Sequence, residues 1–442
     1  MKKGMRMFAL MWGGQIVSVI GSQLSGFALA VWVYDTTRSA TLSALAYWAF
    51  SLPQILLSPF AGVWVDRWGR RKSMIISDLG AGLCVGLVAL LWYAGALRPW
   101  MIVPINIGIS SFASLMWPAQ SAAITVLVPK EHYGRANGMV QTIDAVAMLV
   151  GPALAGALYA TLKVGKLALI DAASYIVAVA IMVLLVRIPE PSLSAEGGKK
   201  TPLLEDIKIG WRWIVERRSL VALLSYFLLV NLLANFVNPL FDPYVLDAWN
   251  PATLGWIASI LGLGMLAGTL TMSAWGGTKR RILTLLGSGV LNGIFLALGG
   301  FATSPGLLAF AGAAMMFFLP FMNASSQAIW QAKVAPELQG RVFAVRRSIA
   351  WSSGILAPLL AGPLADLVFK PGMSAGGGMA RILGPLLGVG PARGIGLMFI
   401  LIGLSTALVS LLSFGWPLLM RLETELPDQG LAEAPAEAKV GA

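Results

Sequence analysis

Long apolar runs alternate with short polar breaks from the start of the chain to about residue 420. A membrane-spanning α-helix needs about 20 consecutive, mostly apolar residues, and these runs are long enough. The pattern therefore predicts twelve transmembrane helices joined by short loops. The predicted spans are 8–34, 42–65, 73–95, 100–124, 138–162, 166–187, 219–241, 253–275, 282–302, 305–331, 344–369 and 393–420.

The longest polar break of the first 300 residues follows Arg187. Its first part is rich in Pro, Ser and Gly, which is typical of a linker. Its second part has apolar residues at helical spacing opposite basic ones, which predicts an amphipathic helix on the membrane surface. We therefore expect four segments: a six-helix half (1–187), a linker with this helix (188–218), a second six-helix half (219–420) and a disordered tail (421–442).

The two halves carry related motifs at one fixed offset. GPALAG at 151–156 corresponds to APLLAG at 357–362, which lies 206 positions later. The same offset relates the Gly-Arg pairs in the loops after the fourth and tenth spans: Gly134, Arg135, Gly340 and Arg341. Several features at one offset predict an internal duplication with two pseudo-symmetric halves.

Composition supports a polytopic, all-α membrane protein. Hydrophobic residues make up 57% of the 442 residues and charged residues 12%, whereas charged residues make up roughly a quarter of a soluble domain. A single cysteine, Cys84, and a single histidine, His132, give no basis for a disulfide, a metal centre or another cofactor. GGKKT at 197–201 lacks the first glycine of an ATP-binding GxxxxGK[ST] motif, so no ATPase or other enzyme is predicted.

The distribution of Lys and Arg predicts the orientation. Of the 32 basic residues, 25 fall on the side that holds both termini, and seven fall on the other side. The positive-inside rule then places both termini in the cytoplasm. The net charge of +12 is explained by topology and by attraction to anionic lipids. We expect membrane lipids as partners and, without a basic soluble domain, no nucleic acid.

The turn GVWVDRWGRRK at 62–72 concentrates charge between two spans. A basic cluster is sufficient to fix orientation, but it needs neither an acid nor glycines, so we favour a specific partner for the acid. The candidate gate residues of this turn are Gly62, Asp66, Arg67, Gly69, Arg70 and Arg71. Its counterpart in the second half, WGGTKRR at 275–281, has no acid.

These features resemble the major facilitator superfamily: twelve spans in two halves, the GxxxDRxGRRK turn and the Gly-Pro pair of the fifth span. The PxxxxGRANG loop after the fourth span and the RRKSMIISDL run further resemble its bacterial macrolide-efflux branch of drug:proton antiporters. The resemblance implies the major facilitator fold and export of hydrophobic or amphipathic small molecules by alternating access, with protons as the coupling ion. We expect a monomer in the bacterial inner membrane. A dedicated exporter of a siderophore or other natural product, and a lysophospholipid or lipid flippase, remain alternatives.

The resemblance also assigns roles to residues. It implies that Asp66 caps a helix of the other half and pairs with arginine, which latches the outward-open state at the cytoplasmic face. An acid at a helix N-terminus is favoured by the helix dipole, and the eleventh span, expected to begin near Arg346 and Arg347, is the expected recipient. Because the second half lacks the acid, the latch is predicted to be one-sided.

The Gly-Pro motifs of the fifth and eleventh spans form a second candidate site. Proline kinks a helix, and small residues let neighbouring helices approach closely. The resemblance associates the fifth-span motif with antiporters, at the contact between the halves, while ordinary close packing remains the alternative. The motif residues are Gly151, Pro152, Gly156, Pro358 and Gly362.

Acids inside spans are costly and are therefore functional candidates. They are Asp78, Asp144, Asp171 and Asp366. Because the resemblance places the fifth span on the cavity, Asp144 is the predicted proton site. The alternative is an ion pair between Asp144 and Arg135 or Arg346.

Two polar stripes predict the substrate path, one on the first span and one on the seventh. Each recurs every three to four residues and so lies on one helix face; interhelical hydrogen bonding, worth about 0.6 kcal/mol per bond, is the alternative. The stripes are Gln15, Ser18 and Ser22, and Asn231, Asn235 and Asn238. Further contacts to a bulky amphipathic solute are predicted from Trp12, Phe241, Asn323, Gln327 and Trp351.

Overall fold

The computed structural model of the chain describes residues 2–129, 132–188 and 203–427. Across these ranges the protein is α-helical and has no β-strand. Eleven helices are long and apolar enough to cross a membrane. One of them is interrupted at Lys163, whose φ of 53° and ψ of −175° are not helical, and this break divides it into two spans. The described ranges therefore contain twelve transmembrane helices, as the sequence predicts.

The first half begins at the N-terminus and ends after the double span. Its helices are α1 (Lys2–Thr37), α2 (Ala40–Trp68), α3 (Arg70–Tyr93), α4 (Ile102–Ala113), α5 (Met116–Leu127) and α6 (Tyr133–Leu184). The short helices α4 and α5 together form the fourth span, and α6 contains the fifth and sixth.

The linker helix α7 (Leu203–Val215) precedes the second half and lies where the amphipathic pattern predicts a helix. The spans that follow are α8 (Arg218–Ala248), α9 (Pro251–Trp275), α10 (Arg281–Gly300), α11 (Pro305–Lys333) and α12 (Pro336–Leu364). A π-helical turn (Ala365–Phe369) continues α12 into α13 (Lys370–Met373), and α14 (Gly378–Leu387), α15 (Pro391–Ser413), α16 (Pro417–Met420) and α17 (Leu422–Glu425) complete the described chain.

Local sequence signals explain where several helices begin. The side chains of Ser39, Asn250 and Ser304 accept hydrogen bonds from the first turns of α2, α9 and α11, as expected of N-cap residues. Gly69 has a φ of 86°, which an L-residue with a side chain rarely adopts. It allows the sharp turn between α2 and α3.

The structure corrects three predicted boundaries. The seventh span does not end at residue 241, because α8 continues through Pro239 and Pro243 to Ala248. The helix of the eleventh span begins at Pro336 rather than near residue 344, because the polar segment before Arg346 is also helical. The predicted disorder from residue 421 is wrong at its start, since Leu422 is fully buried in α17; residues 428–442 lie outside the described part of the chain.

The buried core joins the two halves at one end of the molecule. We call the end that carries the Gly69 turn the basic face and the other end the opposite face. At the opposite face one buried cluster extends from Leu24 in α1 to Phe399 in α15. Towards the basic face the described buried residues form two separate clusters, one around Met74 in the first half and one around Trp330 in the second.

Candidate functional site

The fifth-span motif contacts the second half directly. α6 packs against α9, and a Cβ added to Gly255 would lie 2.4 Å from the carbonyl oxygen of Pro152. A Cβ added to Gly156 would lie 3.0 Å from the Cα of Gly255. The two backbones touch here because neither glycine carries a side chain. The predicted motif thus lies at the contact between the halves.

The eleventh-span motif makes the related contact on the other side of the molecule. A Cβ on Gly362 of α12 would lie 2.5 Å from the Cα of Thr41 and 3.0 Å from the carbonyl oxygen of Ala40 in α2. Gly151 instead faces Gln23 of α1, within its own half. Two helix pairs, α6 with α9 and α12 with α2, therefore bring the halves together near the opposite face.

Asp366 crosses from the second half to cap α2. Its carboxylate accepts hydrogen bonds from the backbone nitrogens of Ala40 and Thr41, at 3.0 and 2.8 Å. It also accepts hydrogen bonds from the hydroxyls of Ser39 and Thr41, at 2.9 and 2.8 Å. A carboxylate is favourable at this position because a helix N-terminus has unpaired N–H groups and a partial positive charge.

Lys370 extends this cap into a network of charges between the halves. Its Nζ lies 3.2 Å from Asp366 and 3.5 Å from Asp247, and it donates hydrogen bonds to the Tyr34 hydroxyl at 2.8 Å and the Arg38 carbonyl at 3.1 Å. Arg38 also lies 4.0 Å from Asp247. We call Tyr34, Arg38, Asp247, Asp366 and Lys370 the opposite-face network. Because it joins α1 and the beginning of α2 to α8 and to the π-helical turn and α13 that follow α12, separating the halves at this face would break it.

At the basic face, several predicted residues lie outside the described positions or side chains. They are Asp66, Gly134, Arg135, Asp144, Gly340 and Trp351, so their roles stay predictions. The rest of the turn is placed. Arg71 donates hydrogen bonds to the carbonyls of Met182 and Val183 at 3.0 and 2.6 Å, and so caps the C-terminal end of α6.

The other candidate gate residues of the turn at 62–72 lie in different environments. Arg67 is exposed, and a Cβ on Gly62 would meet no atom within 4 Å. Arg70 is partly buried, and its Nη1 has no hydrogen-bond partner in the described structure. Arg341 lies under the linker helix, since a Cβ on Gly210 would be 2.7 Å from its carbonyl oxygen.

An acid from the C-terminal segment caps the helix that follows the second-half turn. The Glu423 carboxylate accepts hydrogen bonds from the backbone nitrogens of Arg281 and Ile282, both at 3.2 Å. The buried Lys333 ammonium donates a hydrogen bond to the Glu423 carbonyl at 2.8 Å and another to the Leu426 carbonyl. The turn itself has no acid, as the sequence showed, but α17 supplies one to the following helix.

The polar stripe on α1 faces helices of its own half. Gln15 donates a hydrogen bond to Asp78 of α3 at 3.0 Å. Ser22 donates to Asp171 of α6 at 3.2 Å, and Ser18 is buried. These contacts are interhelical hydrogen bonds, and a role of this stripe in the substrate path stays a prediction.

The stripe on α8 divides into a packed part and an accessible part. Asn231 bonds to the Phe227 carbonyl at 2.8 Å, and Asn235 bonds to Ser353 of α12 at 3.1 Å. Asn238 is exposed and lines a cavity.

Three of the remaining predicted path residues lie on α1 and α11. Gln327 accepts a hydrogen bond from Arg346 at 2.9 Å, and Trp12 donates one to the Met139 carbonyl at 2.6 Å. Asn323 is exposed. Arg346 also contacts Ser326, at 3.0 Å, and it lies over the Trp330 ring. It therefore belongs to the α11–α12 contact and not to the N-terminus of a helix.

The cavity beside Asn238 has a volume of about 370 Å³. Phe241 lines it, as do Tyr47 of α2, Phe399 of α15 and Asp242 of α8. Asp242 is not among the residues predicted from the sequence, because the predicted seventh span ends one residue earlier, at residue 241. The signal available was the short run Phe241–Val245, whose apolar residues continue past the acid.

Comparisons with known proteins give matches to transporters over most of the chain. A family model described as Major Facilitator Superfamily matches residues 11–247 and 223–369. Macrolide efflux protein A of Streptococcus pyogenes is 28% identical over 365 residues, which cover 82% of this chain and 90% of that protein. The multidrug efflux pump Tap of Mycolicibacterium fortuitum is 27% identical over 349 residues, which cover 76% of this chain and 83% of the pump.

Solved structures share the fold at low sequence identity. A bacterial homologue of the human lysosomal transporter Spinster, in an inward-facing conformation, superposes with a TM-score of 0.73 at 14% identity, covering 96% of this chain and 98% of the other. A bacterial homologue of the iron transporter ferroportin, also inward-facing, gives a TM-score of 0.64 at 15% identity, with 93% and 98% coverage.

Proposed function

The chain belongs to the Major Facilitator Superfamily and is a multi-pass membrane transporter of small molecules, and on that premise we propose that it exports hydrophobic or amphipathic compounds, including macrolide-like drugs. The observation that carries this proposal is the relationship to macrolide efflux protein A, which extends over 90% of that protein. The chain is similarly related to a multidrug efflux pump.

The described cavity suits such a solute. It lies between helices of the second half and α2 of the first, and its walls are mainly aromatic and aliphatic. Asn238 and Tyr47 supply an amide and a hydroxyl for orientation. Apolar walls with a few polar groups are typical of sites that bind organic molecules.

Alternating access is the proposed mechanism. The opposite-face network and the two glycine contacts hold the halves together at the opposite face. We assign the basic face to the cytoplasm because most of the Lys and Arg lie there. Both termini are then cytoplasmic, the membrane is the bacterial inner membrane, and the arrangement corresponds to an inward-facing state. A single chain is proposed as the transporting unit.

Proton antiport is the proposed energy source. An exporter without its own ATPase motif must draw on a gradient, and carboxylates inside the membrane are suited to carry protons. Asp144 is the proposed proton site. Asp78 and Asp171 are further buried acids, and their described hydrogen-bond donors are the uncharged side chains of Gln15, Ser22 and Ser25, with Ser174 also bonded to Asp171.

The test is export in a bacterial host that lacks its own drug pumps. Cells expressing the protein are expected to accumulate less erythromycin, and less of several other amphipathic compounds, than cells with the empty vector. Addition of a protonophore should remove the difference. Equal accumulation of every compound in both strains, with the protein present in the membrane, would contradict the proposal.

A further inference from the structure

Asp242 is a carboxylate without a described partner inside the membrane-spanning part of the protein. It lies on α8 between Pro239 and Pro243, one residue beyond Phe241. No described hydrogen bond or ion pair involves its side chain, which lines the 370 Å³ cavity. An ionised carboxylate in such surroundings is costly unless an opposite charge accompanies it. The cavity lining includes no Lys or Arg, so no residue of this lining supplies the opposite charge when Asp242 is ionised, and a bound cation would supply it.

The walls of the cavity indicate what kind of cation fits. Rings from four helices line it, those of Tyr47, Phe241, Phe295 and Phe399. Met315 and Met316 add polarizable thioethers. Aromatic faces attract organic cations, and methionine adapts to irregular apolar ligands. A bound inorganic ion such as Ca²⁺ needs six to eight oxygen ligands, and Asp242 is the one carboxylate of this lining.

Ring contacts hold two of the aromatic walls in place. Phe399 packs edge to face against Tyr244, with ring centroids 5.1 Å apart. Phe295 stacks on Phe318, with centroids 5.9 Å apart. These rings are therefore placed before any ligand arrives, which lowers the entropic cost of binding.

We propose that Asp242 is the counter-ion of a subsite for lipophilic organic cations, that is, protonated amines or onium ions attached to an aromatic or aliphatic body. The inference rests on the proposed export function and specifies one class of its substrates. The cavity volume is at the small end of ligand pockets, which span about 300–1,000 Å³. It therefore holds a compact cation, or the charged group of a larger molecule. Because Tyr47 belongs to the first half and Asp242 to the second, the bound cation contacts both halves.

Binding of two matched probes to the purified full-length protein tests the subsite. Tetraphenylphosphonium is permanently charged, so its charge does not depend on pH, whereas triphenylphosphine oxide has a similar aromatic body without net charge. Asp242→Asn is expected to weaken tetraphenylphosphonium binding at least tenfold and to change triphenylphosphine oxide binding less than twofold. Asp242→Glu should restore most of the cation affinity. Glu216→Gln removes an exposed acid of the linker region and should leave both affinities unchanged.

The outcomes separate this proposal from the proposed function. Unchanged tetraphenylphosphonium affinity in Asp242→Asn, with normal gel-filtration behaviour, overturns the cation subsite even if erythromycin is still exported. Equal loss of both probes also overturns it, because the acid would then support the cavity or couple to protons without recognising charge. Loss of cation affinity alone supports the subsite. Failure of wild-type cells to export any compound, including tetraphenylphosphonium, instead overturns the proposed export function.

Discussion

The Asp366 carboxylate lies 2.8 Å from the backbone nitrogen of Thr41, so an acid in the π-helical turn that continues α12 caps the beginning of α2. The sequence predicts the converse contact at the basic face, where Asp66 lies at the end of α2 and the recipient belongs to α12. The two helices pack against each other, and an acid lies near the C-terminal end of each, Asp66 within α2 and Asp366 just beyond α12. In an alternating-access cycle, the Asp366 cap would be present when the opposite face is closed. The Asp66 cap would be present when the basic face is closed.

Replacing Asp366 by Asn should weaken closure of the opposite face. The variant loses the charge that faces the α2 N-terminus and Lys370, and we expect the equilibrium to move towards opening of this face by about 1–3 kcal/mol, roughly 5- to 150-fold. Spin labels at Ala96 and Thr303, both exposed at this face, report the change as a longer distance in a protein whose Cys84 is replaced by serine.

Asp35→Asn is the matched control for this measurement. Asp35 lies at the same face, but its side chain is 36% exposed and its described ion pair is a 3.6 Å contact with Arg38. Such exposed pairs contribute little, so the distance distribution should match that of the parent protein. An identical shift in both variants would show that the loss of any negative charge suffices and that capping by Asp366 is not the cause.

Replacing Asp66 by Asn should move the equilibrium the other way, towards the inward-facing state. Its predicted cap holds the basic face closed, so the variant should show less cross-linking between cysteines at the basic ends of α2 and α12. A double variant with Asp366→Asn should return towards the parent distribution, since the two effects act on the same equilibrium in opposite directions. Unchanged cross-linking in Asp66→Asn would leave the basic cluster with a role in orientation alone.

Much of the fold could be predicted because it depends on local patterns. Apolar runs of about 20 residues predict spans, and the 206-residue offset relates the Gly-Pro motifs, which the structure places at contacts between the halves. The predicted span boundaries were wrong where polar residues are part of a helix. Asp242 and Pro243 interrupt an apolar run but not α8. The polar residues after Pro336 belong to α12 although they precede its apolar part.

The long-range caps could not be predicted from the sequence. Asp366 and Thr41 are 325 positions apart, and Glu423 and Arg281 are 142 positions apart. No periodicity relates residues at such separations, and an acid near a helix end is compatible with many partners. The partner depends on how the two halves pack, which the hydrophobic pattern does not specify.

Adding a methyl group at the glycine contacts should hinder closure of the opposite face. In Gly255→Ala and Gly362→Ala the new Cβ would lie 2.4 Å from the Pro152 oxygen and 2.5 Å from the Thr41 Cα, so the backbones must separate at a cost of about 1–3 kcal/mol. Export should fall, and the Ala96–Thr303 distance should lengthen. Gly86→Ala, whose Cβ would meet no atom within 4 Å, should export normally; an equal loss there would indicate a general effect on helix flexibility.

Removing the Glu423 cap should destabilise the second half at the basic face. Glu423→Ala leaves the first N–H groups of α10 without their described carboxylate partner, and loss of such a cap costs about 0.5–2 kcal/mol. The thermal unfolding midpoint of the purified protein should fall by about 1–2 °C. Glu425→Ala, in the same short helix but exposed and held by one 3.3 Å bond from Ser219, should have a smaller effect. Equal midpoints for the two variants would contradict a capping role.

Replacing Asp144 by Asn should uncouple transport from the proton gradient. A carboxylate that carries protons must gain and lose charge within each cycle, and asparagine of nearly the same shape cannot. In inverted membrane vesicles the variant should lose uptake driven by a pH gradient while still exchanging labelled for unlabelled substrate, because exchange needs no net proton movement. Asp171→Asn provides the comparison, since Asp171 is buried and hydrogen-bonded to serines within the first half. Normal gradient-driven uptake in Asp144→Asn, with uptake lost in Asp171→Asn, would move the proton site from Asp144 to Asp171.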